Sequence, residues 1–563
     1  MQYYQIIQSE TGPVIHSPLK GKPILTIPQL NKGTAFTIEE RKQLGLLGKL
    51  PPCVETLEAQ KKRAYVQYCD YSQPMHKNIF LNVLHNTNEI LFYGLVKQHF
   101  KEMMPIVYTP VVGDSVIDFN KAFRQTRGLY VCYEDRDCLD EIFRNATNTD
   151  VKLIVVTDGS GVLGIGDQGV GGMGIPIAKL VLYTAIGGVS PYNTLPVMID
   201  VGTDNPDLLK DPLYLGWRHP RIDDVKYREF IEKIIDCVMR IYPDVFVHWE
   251  DFSSRHASTI LKHYQNKICT FNDDIQGTGV VTLAAIWSAL KKKSQTLGEQ
   301  RFLIFGAGAA GCGIADHLYF SMLQLGYNPK EVRECFWLID RQGLLFEDDP
   351  ILHEAQRRFA RPSHERPGYD RYDLETVIRK VKPTVLIGSS AVKGAFTEQI
   401  LKELAGLVDR PLILPLSNPI SRAEATPQLI MEATDGSAFV ATGSPFPSFN
   451  FGDELVITGQ CNNAYAFPGI GLGVVAVNAR RISDQMLLAA SRAISQCVEE
   501  NIYSKWLITP IPEMAVLVAK RVAYAVAEVA IEQGLAQATN ESVVDRVDRV
   551  YWEPKYYPII YQP

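Results

Sequence analysis

The chain has 563 residues, of which 46% are hydrophobic and 21% are charged, as is typical of a globular protein with several packed units. A net charge of −6 without any basic cluster argues against a nucleic-acid-binding protein. No apolar run approaches the ~18 residues that a membrane helix needs. Ten scattered cysteines without a CxxC pair, and an N-terminus unlike a signal peptide, favour a cytoplasmic protein.

The first half of the chain predicts an extended arm followed by helices. Residues 1–36 are rich in proline, glycine and threonine. Thr37 and Glu40 then form a capping-box pattern that predicts a helix start, and helical periodicity continues to about Glu102. Beyond that point apolar runs predict buried strands at 151–157, 195–200 and 246–249.

A change in pattern near Gly277 predicts a second region. A predicted helix at 280–292 leads into strands that alternate with helices, and the last hundred residues have helical periodicity again. The predicted strands lie at 301–305, 335–340, 384–387, 412–416 and 439–441. This alternation predicts an α/β fold with a doubly wound parallel sheet over about 278–460.

Three glycines in the second region suggest a nucleotide site. Gly306, Gly308 and Gly311 have GxGxxG spacing, follow a predicted strand and open a predicted helix, where a pyrophosphate binds to backbone N–H groups. Asp340 ends the next predicted strand and could bind the adenosine ribose, although its distance along the chain requires a long intervening helix. The alternatives are a tight structural turn and a strand-end capping aspartate.

Two acidic pairs, Glu250-Asp251 and Asp273-Asp274, each follow an apolar segment. Buried carboxylates are costly unless they bind a cation or hydrogen-bond donors, and carboxylate oxygens suit Mg²⁺ or Mn²⁺ better than Zn²⁺. We expect Glu250, Asp251 and Asp274 to be metal ligands, with Asp273 supporting them from behind. The alternative is that these acids cap helices.

Other polar residues could carry proton transfer and binding. Lys179 enters an apolar helix next to glycine-rich backbone, where desolvation favours a neutral amine and therefore a general base. Tyr108 could donate a phenolic proton. The amides of Asn418, Asn462 and Asn463 could orient a carboxylate or a nicotinamide. The alternatives are a snorkelling lysine, a packing tyrosine and turn-forming asparagines.

Several longer segments together resemble the malic enzyme family, in particular its NAD-linked bacterial and mitochondrial type. The resemblance extends from about residue 25 to 555, and its motifs are NKGTAF at 31–36, MPIVYTP at 104–110, GIGDQG at 164–169, FNDDIQGT at 271–278, ATGSPF at 441–446 and FPGIG at 467–471. It implies oxidative decarboxylation of L-malate to pyruvate and CO₂ with reduction of NAD, and decarboxylation of oxaloacetate as well.

The resemblance also implies roles for the candidate residues. Tyr108 becomes the general acid and Lys179 the general base, and Asp274 joins them in catalysis while binding Mg²⁺ or Mn²⁺ with Glu250 and Asp251. The implied NAD contacts are Gly306, Gly308, Gly311, Asp340, Asn418 and Asn462, and Asn463 lies near the substrate. Gln356 stands where family members that use NADP tend to carry lysine, which favours NAD.

The implied organisation has four segments: an arm and helical region (1–102), a substrate and metal domain (103–277), an NAD-binding domain (278–461) and a helical return onto the substrate domain with a tail (462–563). The implied assembly is a homodimer or homotetramer. The expected partner is a small-molecule substrate, with no nucleic acid and no membrane.

One departure from the family pattern is Gly161. The family has an arginine at this position that grips the substrate carboxylate, and a guanidinium–carboxylate contact contributes about 1.5–3 kcal/mol. Malolactic enzymes, which are close relatives, also carry glycine at this position. Their sequence is also similar to this chain's at His248–Asp251. They form lactate from malate with NAD kept bound, and remain the alternative. Arg124 and Arg127 are candidates to replace the missing cation.

Two further alternatives differ in class or substrate. A nucleotide-binding regulator that has lost catalysis is disfavoured by the intact acids together with Lys179 and Tyr108. An amino-acid dehydrogenase would not need the two acidic pairs.

Overall fold

The structure is a computed structural model that describes residues 3–10, 12–125, 127–162, 164–368, 372–499, 505–537 and 539–563. The chain forms two compact units. The first contains Met1–Ser160, Asp167–Val247 and Val550–Pro563, and the second contains Gly161–Gly166 and His248–Arg549. Within the described ranges, no helix combines the length and apolarity needed to cross a membrane.

The described helices, in chain order, are α1 Lys22–Thr26, α2 Ile38–Gln43, α3 Leu57–Cys69, α4 Pro74–His85, α5 Glu89–Gln98, α6 Phe100–Val107, α7 Val111–Ile117, α8 Phe119–Ala122, α9 Leu139–Arg144, α10 Gly174–Ala185, α11 Pro206–Lys210, α12 Asp224–Ile241, α13 Ser254–Tyr264, α14 Thr278–Lys293, α15 Ala309–Gln324, α16 Pro329–Glu334, α17 Glu354–Arg357, α18 Leu374–Val381, α19 Glu398–Leu407, α20 Pro427–Ala433, α21 Phe467–Val477, α22 Asp484–Glu499, α23 Ala515–Glu532 and α24 Val543–Val550.

The described strands are β1 Gln5–Ser9, β2 Gly12–Ser17, β3 Leu129–Cys132, β4 Leu153–Thr157, β5 Thr194–Asp200, β6 Phe246–Trp249, β7 Thr270–Asn272, β8 Phe302–Phe305, β9 Phe336–Asp340, β10 Gly343–Leu344, β11 Val385–Gly388, β12 Leu412–Pro415, β13 Phe439–Thr442, β14 Phe449–Phe451, β15 Glu454–Val456, β16 Gly459–Gln460 and β17 Ile559–Tyr561.

The predicted extended arm is wrong in part, because its first residues form a sheet. β1 and β2 are antiparallel neighbours, and β17, from the far end of the chain, runs parallel to β2. Pairing across more than 500 residues leaves no trace in local composition. The helix start that follows is confirmed: Thr37 Oγ1 accepts a hydrogen bond from the Glu40 N–H at 3.2 Å, and the Glu40 carboxylate accepts one from the Thr37 N–H at 3.1 Å.

A parallel arrangement of β3, β5 and β4, in that order, forms the centre of the first unit. Every residue of β4 and β5 is buried, which explains why both read as continuous apolar runs rather than alternating ones. Helix α10 packs against both strands, so its one buried lysine, Lys179, lies in a fixed and largely apolar setting.

The second unit contains the predicted doubly wound sheet. Its strand order is β10-β9-β8-β11-β12-β13-β16, and all neighbours except β10 and β9 run parallel. All five strands predicted beyond Gly277 are present. The long connection before Asp340 is also explained, since α15 and α16 both lie between β8 and β9.

The unit boundaries differ from the four predicted segments. Residues 462–549 belong to the same compact unit as the sheet, and only 550–563 join the first unit. The reason is packing: α21 and α23 lie against each other, and α22 packs on α14 and α15. The second unit begins at His248, and the division into four segments stays a prediction.

Candidate active site

The carboxylates of Glu250, Asp251 and Asp274 lie together in the second unit. Each offers one oxygen within 4.8 Å of the others, and the three residues are 3%, 4% and 8% exposed. Glu250 and Asp251 follow the end of β6, while Asp274 lies in a π-helical turn that opens α14. The sequence prediction that these acids converge is therefore met by the geometry.

The backbone holds this group in an unusual conformation. Asp251 has a positive φ of 54°, a region that non-glycine residues seldom adopt and that concentrates at functional sites. Its N–H donates a 2.8 Å hydrogen bond to Oδ2 of Asp274. A main-chain donor therefore joins the two acidic segments, which are separated by more than twenty residues.

Asp273 lies next to this group, with a carboxylate oxygen within 4.8 Å of one of Glu250. It is fully buried, and its Oδ2 accepts a 3.0 Å hydrogen bond from Nδ2 of Asn463. A Cβ added to Gly277 would lie 1.9 Å from Oδ1 of Asp273. Only glycine at position 277 leaves room for this carboxylate, which gives the glycine of the 271–278 motif a physical role.

The predicted acid and base are neighbours in the first unit. Nζ of Lys179 lies 5.4 Å from the centre of the Tyr108 ring. Tyr108 directly follows α6, and both residues are buried, with 3% of Lys179 and 8% of Tyr108 exposed. A lysine that merely snorkels to solvent would be more exposed. The roles of Lys179 and Tyr108 in proton transfer stay predictions.

The three glycines after β8 serve different purposes. Gly306 has φ +109°, and a Cβ on Gly311 would lie 2.0 Å from the Gly306 carbonyl oxygen, so these two allow the tight turn and the close start of α15. A Cβ on Gly308 meets no described atom within 4 Å. The middle glycine therefore exposes backbone where a phosphate could approach the helix N-terminus.

Asp340 is connected to this turn through Gln356. The Gln356 amide nitrogen donates to Oδ2 of Asp340 at 2.7 Å and to the carbonyl oxygen of Ala307 at 3.0 Å. Gln356 is only 2% exposed, and it occupies α17, beyond the strand that Asp340 ends. The neutral amide leaves the negative charge of Asp340 intact, which suits a ribose with two free hydroxyls.

The three predicted asparagines are engaged in different contacts. Oδ1 of Asn418 accepts a hydrogen bond from the hydroxyl of Ser444, and Oδ1 of Asn462 caps the short helical turn that follows by accepting from the N–H of Ala464 at 2.9 Å. The amide nitrogen of Asn463 donates to Asp273. Their contacts with cofactor and substrate remain predictions.

Gly161 cannot be exchanged for a larger residue without moving the backbone. Its N–H donates to the carbonyl oxygen of Asp251 at 2.9 Å. A Cβ at this position would lie 2.5 Å from the carbonyl oxygen of Phe252. The lack of an arginine here is therefore built into the local packing. Of the two proposed substitutes, Arg127 is already ion-paired with the fully buried Glu89.

Arg221, which the sequence did not single out, joins Asp158 and Asp167 within the first unit. Arg221 donates two 2.8 Å hydrogen bonds to Asp167 and one of 3.0 Å to the carbonyl oxygen of Asp158. Burial raises the pKa of Asp167, but the hydrogen bonds and charge of Arg221 outweigh this effect and leave that pKa below its ordinary value. Asp167 is therefore ionised at neutral pH, and its ion pair with Arg221 persists there.

Two domain models of one protein family match the chain. Residues 85–265 match "Malic enzyme, N-terminal domain", and residues 275–531 match "Malic enzyme, NAD binding domain". Similar named proteins include the NAD-dependent malic enzyme of Aliivibrio salmonicida (strain LFI1238), 45% identical over 550 residues, and that of Vibrio parahaemolyticus serotype O3:K6 (strain RIMD 2210633), 46% identical over 547 residues. Each alignment covers 96% of this chain and 97% of the relative.

Solved structures agree with this similarity. A malic enzyme from Pyrococcus horikoshii Ot3 is 26% identical with a TM-score of 0.54, and the match covers 80% of this chain and 89% of that one. An NAD-dependent malic enzyme from Thermotoga maritima is 27% identical with a TM-score of 0.51, covering 76% and 93% respectively.

Gly277→Ala should weaken divalent-cation binding, because the new methyl group would displace the Asp273 carboxylate that lies beside the ligand group. We expect the Mn²⁺ dissociation constant, measured by electron paramagnetic resonance of the free ion, to rise roughly 10-fold or more. Gly406→Ala is the matched control, since a Cβ there meets no described atom within 4 Å. Equal Mn²⁺ affinity in both variants would refute this role for Gly277.

Proposed function

The chain belongs to the malic enzyme family, and we propose that its described residues oxidise L-malate with NAD and decarboxylate the product, releasing pyruvate and CO₂. The family and the NAD-linked type predicted from the motifs are confirmed by the relatives. The observation that carries the residue assignment is the buried group of Glu250, Asp251 and Asp274, because each residue offers a carboxylate oxygen within 4.8 Å of the others.

The donor set of this group fits the family's divalent cation. Three buried carboxylates repel one another, and all their donors are hard oxygens, which Mg²⁺ and Mn²⁺ prefer. Glu250, Asp251 and Asp274 would hold the ion. When bound, such a cation acts as a Lewis acid that polarises a keto oxygen and stabilises the negative charge left by departing CO₂.

The proton transfers are assigned to Lys179 and Tyr108. Lys179 removes the proton from the C2 hydroxyl of malate as the hydride leaves the same carbon for NAD. Tyr108 then protonates the carbon that has lost CO₂. The distance of 5.4 Å between Nζ and the centre of the phenol ring supports this pairing, since a neighbouring amine and phenol can exchange a proton before the next turnover.

The selection of NAD is assigned to Asp340 and Gln356. NADP carries a phosphate at the 2′ position of the adenosine ribose, which the Asp340 carboxylate would repel. Gln356 fixes that carboxylate without neutralising it. The same chemistry would also decarboxylate oxaloacetate, because that step needs the cation and the acid but no hydride transfer.

A malolactic reaction is the second candidate, and Gly161 is the observation that favours it. In that reaction NADH stays bound and reduces pyruvate to lactate. The Gly161 backbone is locked against Asp251 and Phe252, so the missing arginine is a stable property of the site. The relatives named above are NAD-dependent malic enzymes, which ranks this candidate second.

Assembly and location extend the same proposal. We infer a homodimer or homotetramer in the cytoplasm, supported by similarity to bacterial malic enzymes and by ten cysteines that are all free thiols. Size-exclusion chromatography with light scattering would measure the assembly directly.

Product analysis tests the proposed reaction. With L-malate, NAD and Mn²⁺, we expect pyruvate and NADH to form in equal amounts, measured by chromatography and by absorbance of NADH. Lactate formed without accumulation of NADH would establish the malolactic reaction instead. If neither malate nor NAD is consumed, both the malic and the malolactic reactions are refuted.

Lys179→Ala should lower kcat by roughly 10²–10⁴-fold, the range that a general base contributes. Lys233→Ala is the control, because Lys233 is an exposed lysine whose salt bridge to Asp137 is on the surface, and its kcat should stay at the parent value. Thermal unfolding of each variant checks that the fold is intact. A Lys179→Ala enzyme with normal kcat would disprove the assignment of the base.

Gln356→Lys should shift cofactor selectivity toward NADP, because an ammonium beside Asp340 would neutralise the carboxylate and attract the 2′-phosphate. One charge-assisted contact of about 1.5–3 kcal/mol corresponds to a change of roughly 10- to 100-fold in the ratio of kcat/KM for NAD and NADP. Arg357→Gln serves as the comparison for the neighbouring cation. If the ratio of kcat/KM for NAD and NADP is unchanged in Gln356→Lys but altered in Arg357→Gln, the selectivity depends on Arg357 instead.

A further inference from the structure

A fully buried histidine lies directly behind one of the proposed metal ligands. His248 belongs to β6 and is 0% exposed. Because side chains two residues apart in a strand point to the same side, His248 and Glu250 face the same way at the end of β6. Nε2 of His248 lies 2.6 Å from Oε2 of Glu250, which is the distance of a short, charge-assisted hydrogen bond.

The surroundings of the ring restrict its orientation. The imidazole of His248 meets the rings of Phe271 and Phe467 edge-on, at centroid distances of 5.6 and 5.8 Å. Two aromatic walls at steep angles leave little freedom for χ2 of the histidine. The imidazole is therefore held in one orientation, in which Nε2 faces Glu250.

The chemistry of the pair assigns the proton. An ionised carboxylate can only accept hydrogen bonds, so the nitrogen that faces Glu250 must carry the hydrogen. This hydrogen bond engages Oε2 of Glu250. The histidine thus restricts the rotamer in which Glu250 presents its carboxylate.

His248 could instead be a ligand of a second cation, since His248, Glu250 and Asp273 each offer an atom within 4.8 Å of the others. The distance argues against this. Two ligands at ~2.1 Å from one Mg²⁺ or Mn²⁺, at right angles, lie about 3 Å apart, which is longer than the observed 2.6 Å between Nε2 and Oε2. Magnesium and manganese also prefer oxygen to imidazole nitrogen.

We propose that His248 is a positioning residue for the metal centre, which orients Glu250 by donating from Nε2 to Oε2 and thereby sets the affinity for the divalent cation. The inference rests on the proposed function, because it presupposes that Glu250 is a ligand. Asp273 is held in a comparable way by the amide of Asn463, so a buried imidazole and a half-buried amide both lie behind the acidic group.

The test compares three variants by the Mn²⁺ dissociation constant of the nucleotide-free enzyme, measured by electron paramagnetic resonance. His248→Gln places an amide N–H near the position of Nε2 and should retain affinity within about threefold of the parent. His248→Asn has the same polarity, but its amide is too short to reach Glu250. We expect its dissociation constant to rise roughly 10- to 100-fold, as for other lost hydrogen bonds to metal ligands.

Glu250→Gln distinguishes a failure of the positioning role of His248 from a failure of the proposed metal site. If Glu250→Gln weakens Mn²⁺ binding while His248→Asn and His248→Gln bind it equally well, the positioning role is overturned and the metal site stands. If Glu250→Gln itself binds Mn²⁺ normally, the proposed metal site fails as well. A stoichiometry of two Mn²⁺ per chain that falls to one in both histidine variants would make His248 a ligand and also overturn the proposal.

The thermal midpoint of the metal-free variants controls for packing. A merely structural role for His248 predicts parallel losses of stability in the glutamine and asparagine variants, with no difference in cation affinity. The positioning role predicts that the KM for Mn²⁺ rises in His248→Asn far more than kcat falls at saturating Mn²⁺, and that His248→Gln restores it.

Discussion

Mutual repulsion among buried carboxylates is the constraint on which the rest of the functional architecture depends. Glu250, Asp251 and Asp274 present oxygens within 4.8 Å of one another while less than a tenth of each residue is exposed. Such a group is stable only with donors or a cation to offset the charge. The surrounding donors are the main-chain N–H of Asp251, the imidazole of His248 and, for neighbouring Asp273, the amide of Asn463.

Glycine makes this concentration of charge sterically possible. Gly277 leaves room for the Asp273 carboxylate, and Gly161 lies against the carbonyl groups of Asp251 and Phe252. In both places a single methyl group would collide with an atom that the site needs. The turn after β8 has the same steric requirement, because the lack of a side chain at Gly311 allows α15 to start close to the Gly306 carbonyl oxygen.

At Gly161 the chain departs from the family pattern, which has arginine there, and the local packing fits the glycine. An arginine at this position would need the backbone of residues 252–253 to move, so its absence is compensated by tighter packing rather than by an empty space. Arg221 holds Asp158 and Asp167 on either side of the segment.

Much of this protein was predictable from its sequence because the relevant signals are local. Continuous apolar runs predicted the buried parallel strands, the capping box of Thr37 and Glu40 predicted a helix start, and the spacing of Gly306, Gly308 and Gly311 predicted the tight turn between β8 and α15. Acidic pairs after apolar segments identified Glu250, Asp251 and Asp274, since charge at the end of a buried strand is costly without a purpose.

Other features were decided only by the tertiary structure, because they depend on residues far apart in the chain. The pairing of β2 with β17, the packing of the C-terminal helices on α14 and α15, and the donation from Asn463 to Asp273 join segments that share no local pattern. The role of His248 also required coordinates: its sequence position shows that it shares a strand face with Glu250, but only the 2.6 Å distance shows the contact. Local patterns determine which elements form, whereas long-range packing determines which side chains meet.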